Sequence, residues 1–270
     1  MGPSAQPVKH AYEKGRPAKA ALSVDRDVQG IGVRKTVSWA YSNFTGRQIV
    51  VTGGTGALGR AVVGTLVKSG ALCHVTYVLE AEAQSFPHKQ NVTLHAVSDL
   101  ADEATVGKLY AGVPKLWASI HLAGGFAMSS VADTDKAKLM QQVEMNFIAC
   151  FLCCRAAVKA MGQTGGRIVN VAARPGLEWR SGAGMVAYTS SKAAVAAMTV
   201  ALAEEVAKHG ILVNAVAPSI MDTPANRNAI PDADFAAWPK VEEVAATVAF
   251  LASPDNTVTR GGIVPVYGKA

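Results

Sequence analysis

The chain has 270 residues, half of them hydrophobic, 17% charged and 6% aromatic. That is enough apolar material for one large core, and a single α/β domain can absorb about 220–250 residues. The formal charge of +6 sits mostly at one end: residues 1–46 hold seven Lys/Arg against three Asp/Glu, which leaves +2 on residues 47–270. A body so near neutral gives no support for nucleic-acid binding, and no apolar run reaches the roughly 18 residues that a membrane span needs.

Residues 1–46 have prolines at 3, 7 and 17, scattered charge and no sustained apolar period. That is the composition of a disordered, basic extension. Its charge would suit an organelle transit peptide, but Glu13, Asp25 and Asp27 argue against one, and no hydrophobic segment reads as a secretory signal. Four cysteines do not make a disulfide framework in a chain this long. Cys150, Cys153 and Cys154 lie in the helix-like run FIACFLCCRAA, with no second cysteine or histidine pair at metal-ligand spacing. They read as buried thiols, no metal is expected, and the setting is reduced and cytoplasmic.

From Gln48 onward, strand-like and helix-like segments alternate. The first, QIVVTGGTGALGRAVVG at 48–64, runs from the apolar Ile49-Val50-Val51 into a turn with Gly53, Gly54, Gly56 and Gly59, then into helical spacing. Glycines let a backbone take positive φ and let a pyrophosphate approach without meeting a Cβ, while the amides and positive dipole end of the following helix face the anion. Thr55, Ala57 and Leu58 complete this dinucleotide turn. Further strands are predicted at 73–78, 91–97, 117–122, 167–172, 211–217 and 262–266, with long helices at 138–161, 185–209 and 241–252. This is the pattern of an α/β fold: a doubly wound parallel sheet, Rossmann-type, in a single domain over 47–270. Ligands of such sheets lie beyond the carboxyl ends of the strands, so the glycine turn, Asp99, Ala123–Gly125, 172–174 and Pro218 are expected on one rim.

Tyr188 and Lys192 are four residues apart, one helical turn, on one face of the predicted helix. A neighbouring ammonium favours the phenolate and so should lower the tyrosine pKa toward a useful range.

Several ordered motifs together resemble the short-chain dehydrogenases/reductases: TGGTGALG at Thr52–Gly59, Asp99, HLAGG at His121–Gly125, Asn146, YTSSK at Tyr188–Lys192 and VNAVAPSIMDT at Val213–Thr223. The resemblance covers about residues 47–270. It implies an NAD(P)(H) site formed by the glycine turn, Asp99 and Leu100 near the adenine, Ala123, Gly124 and Gly125, and Pro218 and Thr223 near the nicotinamide. Tyr188 would be the general acid or base, and Lys192 would lower its pKa and hold the nicotinamide ribose. Asn146 would anchor a proton-conducting water. The implied substrate is a small carbonyl or alcohol, and the implied assembly a homo-dimer or homo-tetramer through the helices at 138–161 and 185–209.

The chain departs from that pattern in four places. Alanine, at Ala173, stands where the family carries a serine that donates to the substrate oxygen; losing such a donor costs about 10²–10³ in rate. Arg174, Ser181 and Trp179, in a loop about two residues longer than usual, are candidate replacements. Ala57 replaces a usual glycine, His121-Leu122 replaces two asparagines, and Ser219 replaces a glycine. His121 itself reads as a satisfied core residue. At the end of the second strand stand Val78 and Leu79, with Glu80 just beyond, which leaves NAD against NADP undecided. The segment 219–239 reads as a lid with Ile220, Met221, Phe235 and Trp238 as an apolar wall. Because of Ala173, two alternatives stand beside carbonyl chemistry: a dinucleotide-binding protein with vestigial catalysis, and a reductase of a quinonoid or C=N substrate resembling dihydropteridine reductase.

Overall fold

The computed structural model describes residues 43–269, so the expectation of a disordered extension lies almost wholly outside the described residues. Seven strands form one sheet: β1 (Gln48–Thr52), β2 (Leu72–Tyr77), β3 (Val92–Ala96), β4 (Leu116–His121), β5 (Gly166–Val171), β6 (Ile211–Pro218) and β7 (Ile263–Val266). Their order is β3-β2-β1-β4-β5-β6-β7, and every neighbouring pair is parallel. The strands lie within a residue or two of the predicted ones. Val78 falls just outside β2 and is 70% exposed. Strand order reverses between β1 and β4, which opens the crevice where ligands of such sheets bind.

The helices are α1 (Ala57–Lys68), α2 (Glu80–Gln84), α3 (Glu103–Ala111), α4 (Lys136–Val143), α5 (Ala149–Met161), α6 (Arg174–Leu177), α7 (Val186–Glu205), α8 (Pro224–Ala229) and α9 (Val241–Ala252). The single helix expected over 138–161 is two, α4 and α5, joined by a π-helical turn at Glu144–Ile148. The helix expected over 185–209 ends at Glu205 and continues as a 3₁₀ turn at Ala207–His209. The α3 helix begins where Asp102 caps the Thr105 amide at 2.7 Å; with Gly107 inside it and a weak apolar stripe, it carried little periodic signal. By length and composition α7 is apolar enough to cross a membrane, a property that a search for unbroken apolar runs passes over; a third of its most apolar stretch is buried in the protein.

Alternation along the strands divides the core between the two faces of the sheet. Ile49, Val51 and Val75 pack with Val62 and Leu66 of α1 and Val244, Val248 and Leu251 of α9. Val50, Ile168 and Val213 pack on the other face with Val106 and Leu109 of α3, Cys153, Ala157 and Met161 of α5, and Val195 of α7. Phe44, 1% exposed, belongs to the first layer, and its amide donates to the Ser69 carbonyl at 2.9 Å, so packing begins three residues before the expected boundary at 47.

Fully burying a phenyl ring and then deleting it leaves a cavity as well as a lost transfer term. A Phe44→Ala variant is expected to lose about 3–4 kcal/mol in urea unfolding, as a core residue does and a tail residue does not.

Candidate active site

The glycine turn between β1 and α1 is built by close approach. Gly53 has φ +63°, and a Cβ there would lie 2.8 Å from the Ala123 backbone at the end of β4; one on Gly59 would lie 2.5 Å from the Gly53 carbonyl oxygen. The Gly53 amide is held by the Thr76 hydroxyl at 3.0 Å. At Gly56, the N-cap of α1, no side chain caps the helix, and no acid lies in its first turn. An uncapped helix start with glycine backbone around it is a phosphate cradle, so these residues fit a dinucleotide pyrophosphate.

Asp99 does not cap α3, since Asp102 does; its carboxylate accepts the Ala101 amide at 2.7 Å and so shapes the exposed loop with Leu100 that follows β3. Pro218 ends β6. Thr223 caps α8 by accepting the Asn226 amide at 3.2 Å. Ala123–Gly125 follow β4, with the Ala123 amide on the Thr52 hydroxyl at 3.3 Å. These positions therefore share the rim formed by the strand ends.

On that rim the first turns of α7 present Tyr188 and Lys192. Lys192 is buried, 6% exposed, and its ammonium donates to the Val171 carbonyl at the end of β5 at 2.9 Å. Asn146 lies in the π-helical turn, where one extra residue per turn rotates its side chain out of the α-helical register, as such turns do at functional sites. Its amide brackets Gly125: Oδ1 accepts the Gly125 amide at 3.1 Å, and Nδ2 donates to the Gly125 carbonyl at 3.0 Å. A Cβ on Gly124 would lie 2.6 Å from Asn146 Oδ1 and 3.5 Å from Lys192 Nζ, so both groups converge on Gly124.

Burial governs the proton affinities here. Desolvation pushes the Tyr188 phenol up to about 12, with the Phe126 ring edge-on at 5.0 Å, and brings Lys192 down to about 8, an effect that Cys150 opposes. Desolvation thus raises the phenol where the neighbouring ammonium was expected to lower it, and that ammonium is bonded to the Val171 carbonyl. Phe126 and Gln142, whose Oε1 accepts from Asn146 Nδ2 at 3.4 Å, are site residues that no sequence motif marked.

The three loop candidates are placed differently from one another. The Ser181 hydroxyl donates to the Glu178 carbonyl at 2.7 Å. Trp179 is 72% exposed, its indole N–H on the Gly176 carbonyl at 3.2 Å. Arg174 follows Ala173 directly at the end of β5, pairs with Glu178 at 2.7 Å and lies over the Tyr267 ring at 5.0 Å. In the expected lid, Trp238 is buried and its ring meets that of Phe235 at a tilt, centroids 5.1 Å apart, as an anchor. Ile220 stays exposed, and a bridge between Asp222 and Lys240 pins the base of the segment.

Because Lys192 ionises near 8 when folded and near 10.5 when unfolded, both states are protonated below pH 8 and the fold bears the full cost of burying the charge. Above that the unfolded chain binds more protons, so stability rises with pH until about 10.5. A Lys192→Met variant should exceed the parent in urea unfolding near pH 7, the gap closing by about 2 kcal/mol near pH 9.5.

Comparison with known proteins agrees with this geometry. The short chain dehydrogenase family model matches residues 47–234. Galactitol 2-dehydrogenase of Rhizobium johnstonii is 34% identical, over 82% of this chain and 93% of its own. The 3-oxoacyl-[acyl-carrier-protein] reductase FabG of Rickettsia felis is 30% identical, over 84% and 97%. The solved structure of ElxO with NADP bound superposes with a TM-score of 0.74 at 25% identity, covering 82% of this chain and 97% of that one. The chain belongs to the short-chain dehydrogenase family and is an NAD(P)-dependent oxidoreductase.

Proposed function

We propose that this enzyme interconverts a small carbonyl compound and its alcohol, working by preference as a reductase, with Tyr188 as the proton donor. The observation that carries the reading is the pairing on α7 of a half-buried phenol, whose proton desolvation holds more tightly, with an ammonium fixed on the end of β5. The relatives named for a polyol and for a 3-oxoacyl group support a carbonyl/alcohol pair.

The nicotinamide cofactor would supply the hydride when bound; Gly53, Gly56 and Gly59 would hold its pyrophosphate and Lys192 its ribose. The protein's own residues do the rest. Tyr188 gives its phenolic proton to the substrate oxygen as negative charge develops there. Lys192, charged below about pH 8, stabilises the phenolate left behind. Asn146 holds the Gly125 backbone and so fixes the floor beneath both. Arg174, placed one residue after Ala173, takes the part of the missing serine hydroxyl. Ser181 is the weaker candidate because its single O–H is engaged by Glu178. A quinonoid or C=N substrate is a second reading, favoured by Ala173, because such bonds need less oxyanion help.

Two carboxylates near the end of β2 support NAD over NADP. The Thr55 hydroxyl donates to Glu82 at 2.6 Å, and Glu80 hydrogen-bonds Tyr77, while the Arg60 guanidinium is engaged by the Thr55, Glu82 and Ser85 carbonyls. A ribose phosphate would meet the Glu80 and Glu82 carboxylates there, while the Arg60 guanidinium alongside is already committed to backbone carbonyls. The outward faces of α5 and α7, with Phe151, Val200, Ala197 and Ala201 exposed, support a homo-oligomer. Four buried free cysteines support a reduced, cytoplasmic setting.

Carbonyl reduction with both nicotinamides, measured across ketones, 3-oxoacyl thioesters and quinonoid pterins, tests the assignment. Tyr188→Phe should lower kcat/KM by about 10²–10⁴. An unchanged rate would leave only dinucleotide binding. Arg174→Ala should cost about 10²-fold and Ser181→Ala less than about threefold. Glu82→Gln should narrow the preference for NADH over NADPH.

A further inference from the structure

Beneath the Lys192 site, on the face of the sheet covered by α5, lies a cluster that the proposed reaction does not use. His121, at the end of β4, meets Cys150 and Cys154 from successive turns of α5; the three candidate ligand atoms all lie within 4.8 Å of one another, and all three residues are buried. The His121 Nδ1 is 3.5 Å from Cys154 Sγ and 3.9 Å from Cys150 Sγ. Asn170 of β5 completes a fourfold group, its Oδ1 2.8 Å from His121 Nδ1, 3.3 Å from Cys150 Sγ and 3.4 Å from Cys154 Sγ.

We propose that His121 Nδ1, Cys150 Sγ, Cys154 Sγ and Asn170 Oδ1 form a four-coordinate site for a thiophilic divalent cation, zinc by its chemistry. Metal–sulfur bonds of about 2.3 Å and metal–nitrogen bonds of about 2.0–2.1 Å in a tetrahedron hold sulfur and nitrogen about 3.5 Å apart. The two sulfur–nitrogen separations, 3.5 and 3.9 Å, lie at or just above that value, and the Asn170 oxygen, 2.8 Å from His121 Nδ1, has to move outward. Two thiolates balance a divalent charge, which leaves a neutral group in a buried position where a net charge would be costly. Two sulfurs and an imidazole also select a borderline-soft ion over magnesium or calcium.

Two further features favour a cation. With no ion, both S–H groups lie against the same two acceptors, the Asn170 oxygen and an unprotonated His121 Nδ1. The far side of the ring is organised as ligating histidines require: Nε2 lies 2.8 Å from Ser119 Oγ and 3.2 Å from Tyr110 Oη, partners that can hold the tautomer with Nδ1 unprotonated. A disulfide is the poorer use of the same pair. Cysteines four apart on a helix have Cβ atoms about 5–6 Å apart, beyond the about 3.5–4.5 Å that a disulfide spans. Binding releases the two thiol protons and ties α5, which continues from the turn holding Asn146, to β4 and β5.

The test uses the full-length protein produced in medium supplemented with zinc and, separately, with cobalt. Elemental analysis should find about one ion per chain, and the cobalt form should show the intense visible bands of a four-coordinate ion with a thiolate charge-transfer band. Stripping the zinc with a chelator should lower the melting temperature. Cys150→Ala and Cys154→Ala should each halve the charge-transfer band or abolish it, while Cys153→Ala, on the same helix and facing Tyr110, should leave it intact. Metal below about a tenth of an ion per chain from both media would overturn the proposal without recourse to any variant. So would a cobalt spectrum that survives loss of both Cys150 and Cys154.

Discussion

The contact between the Lys192 ammonium and the Val171 carbonyl organises the reactive end of this molecule. An ammonium in a dry setting must find acceptors or lose its proton, and a carbonyl at the last residue of a central strand is an acceptor that cannot move. The bond therefore fixes the rotation of α7 against β5. With α7 oriented, Tyr188 stands one turn earlier on the same face, against Phe126. The lysine does not merely accompany the tyrosine; its need for a partner sets where the tyrosine points.

That arrangement couples three elements distant in sequence. The end of β4 carries Gly124, whose lack of a side chain lets Asn146 and Lys192 approach the same point. The π-helical turn supplies Asn146, and its amide clamps Gly125 in both directions. Burial then sets the proton affinities: desolvation holds the phenolic proton more tightly and makes the ammonium more acidic. Next to Ala173, the Arg174 guanidinium is oriented by Glu178 and Tyr267, which is why it is the proposed stand-in for a serine hydroxyl.

The cofactor side shows the same economy of position. The strand order reverses beside β1, so the crevice, the uncapped start of α1 and the close approach of Gly53 to Ala123 fall together. On its outer flank, Glu82 and Arg60 brace the turn through Thr55, so charge stands beside the glycine motif without any of the motif's own residues carrying it.

Much of this was legible in the residues alone. Short continuous apolar runs such as Ile49-Val50-Val51, bounded by turn residues, locate parallel strands because both faces of each strand are buried, and the glycine turn announces itself because few other residues permit its backbone. A one-turn Tyr/Lys spacing places two side chains on one face whatever the rest of the chain does. Only the tertiary structure decided what depends on neighbours from elsewhere. The break of the long helix at Asn146, the partial desolvation that raises the tyrosine pKa, and the meeting of His121 with Cys150 and Cys154 all depend on packing between elements. Sequence spacing describes neighbours along one element, whereas burial and ligand convergence are set by the sheet register that brings β4, β5 and α5 together.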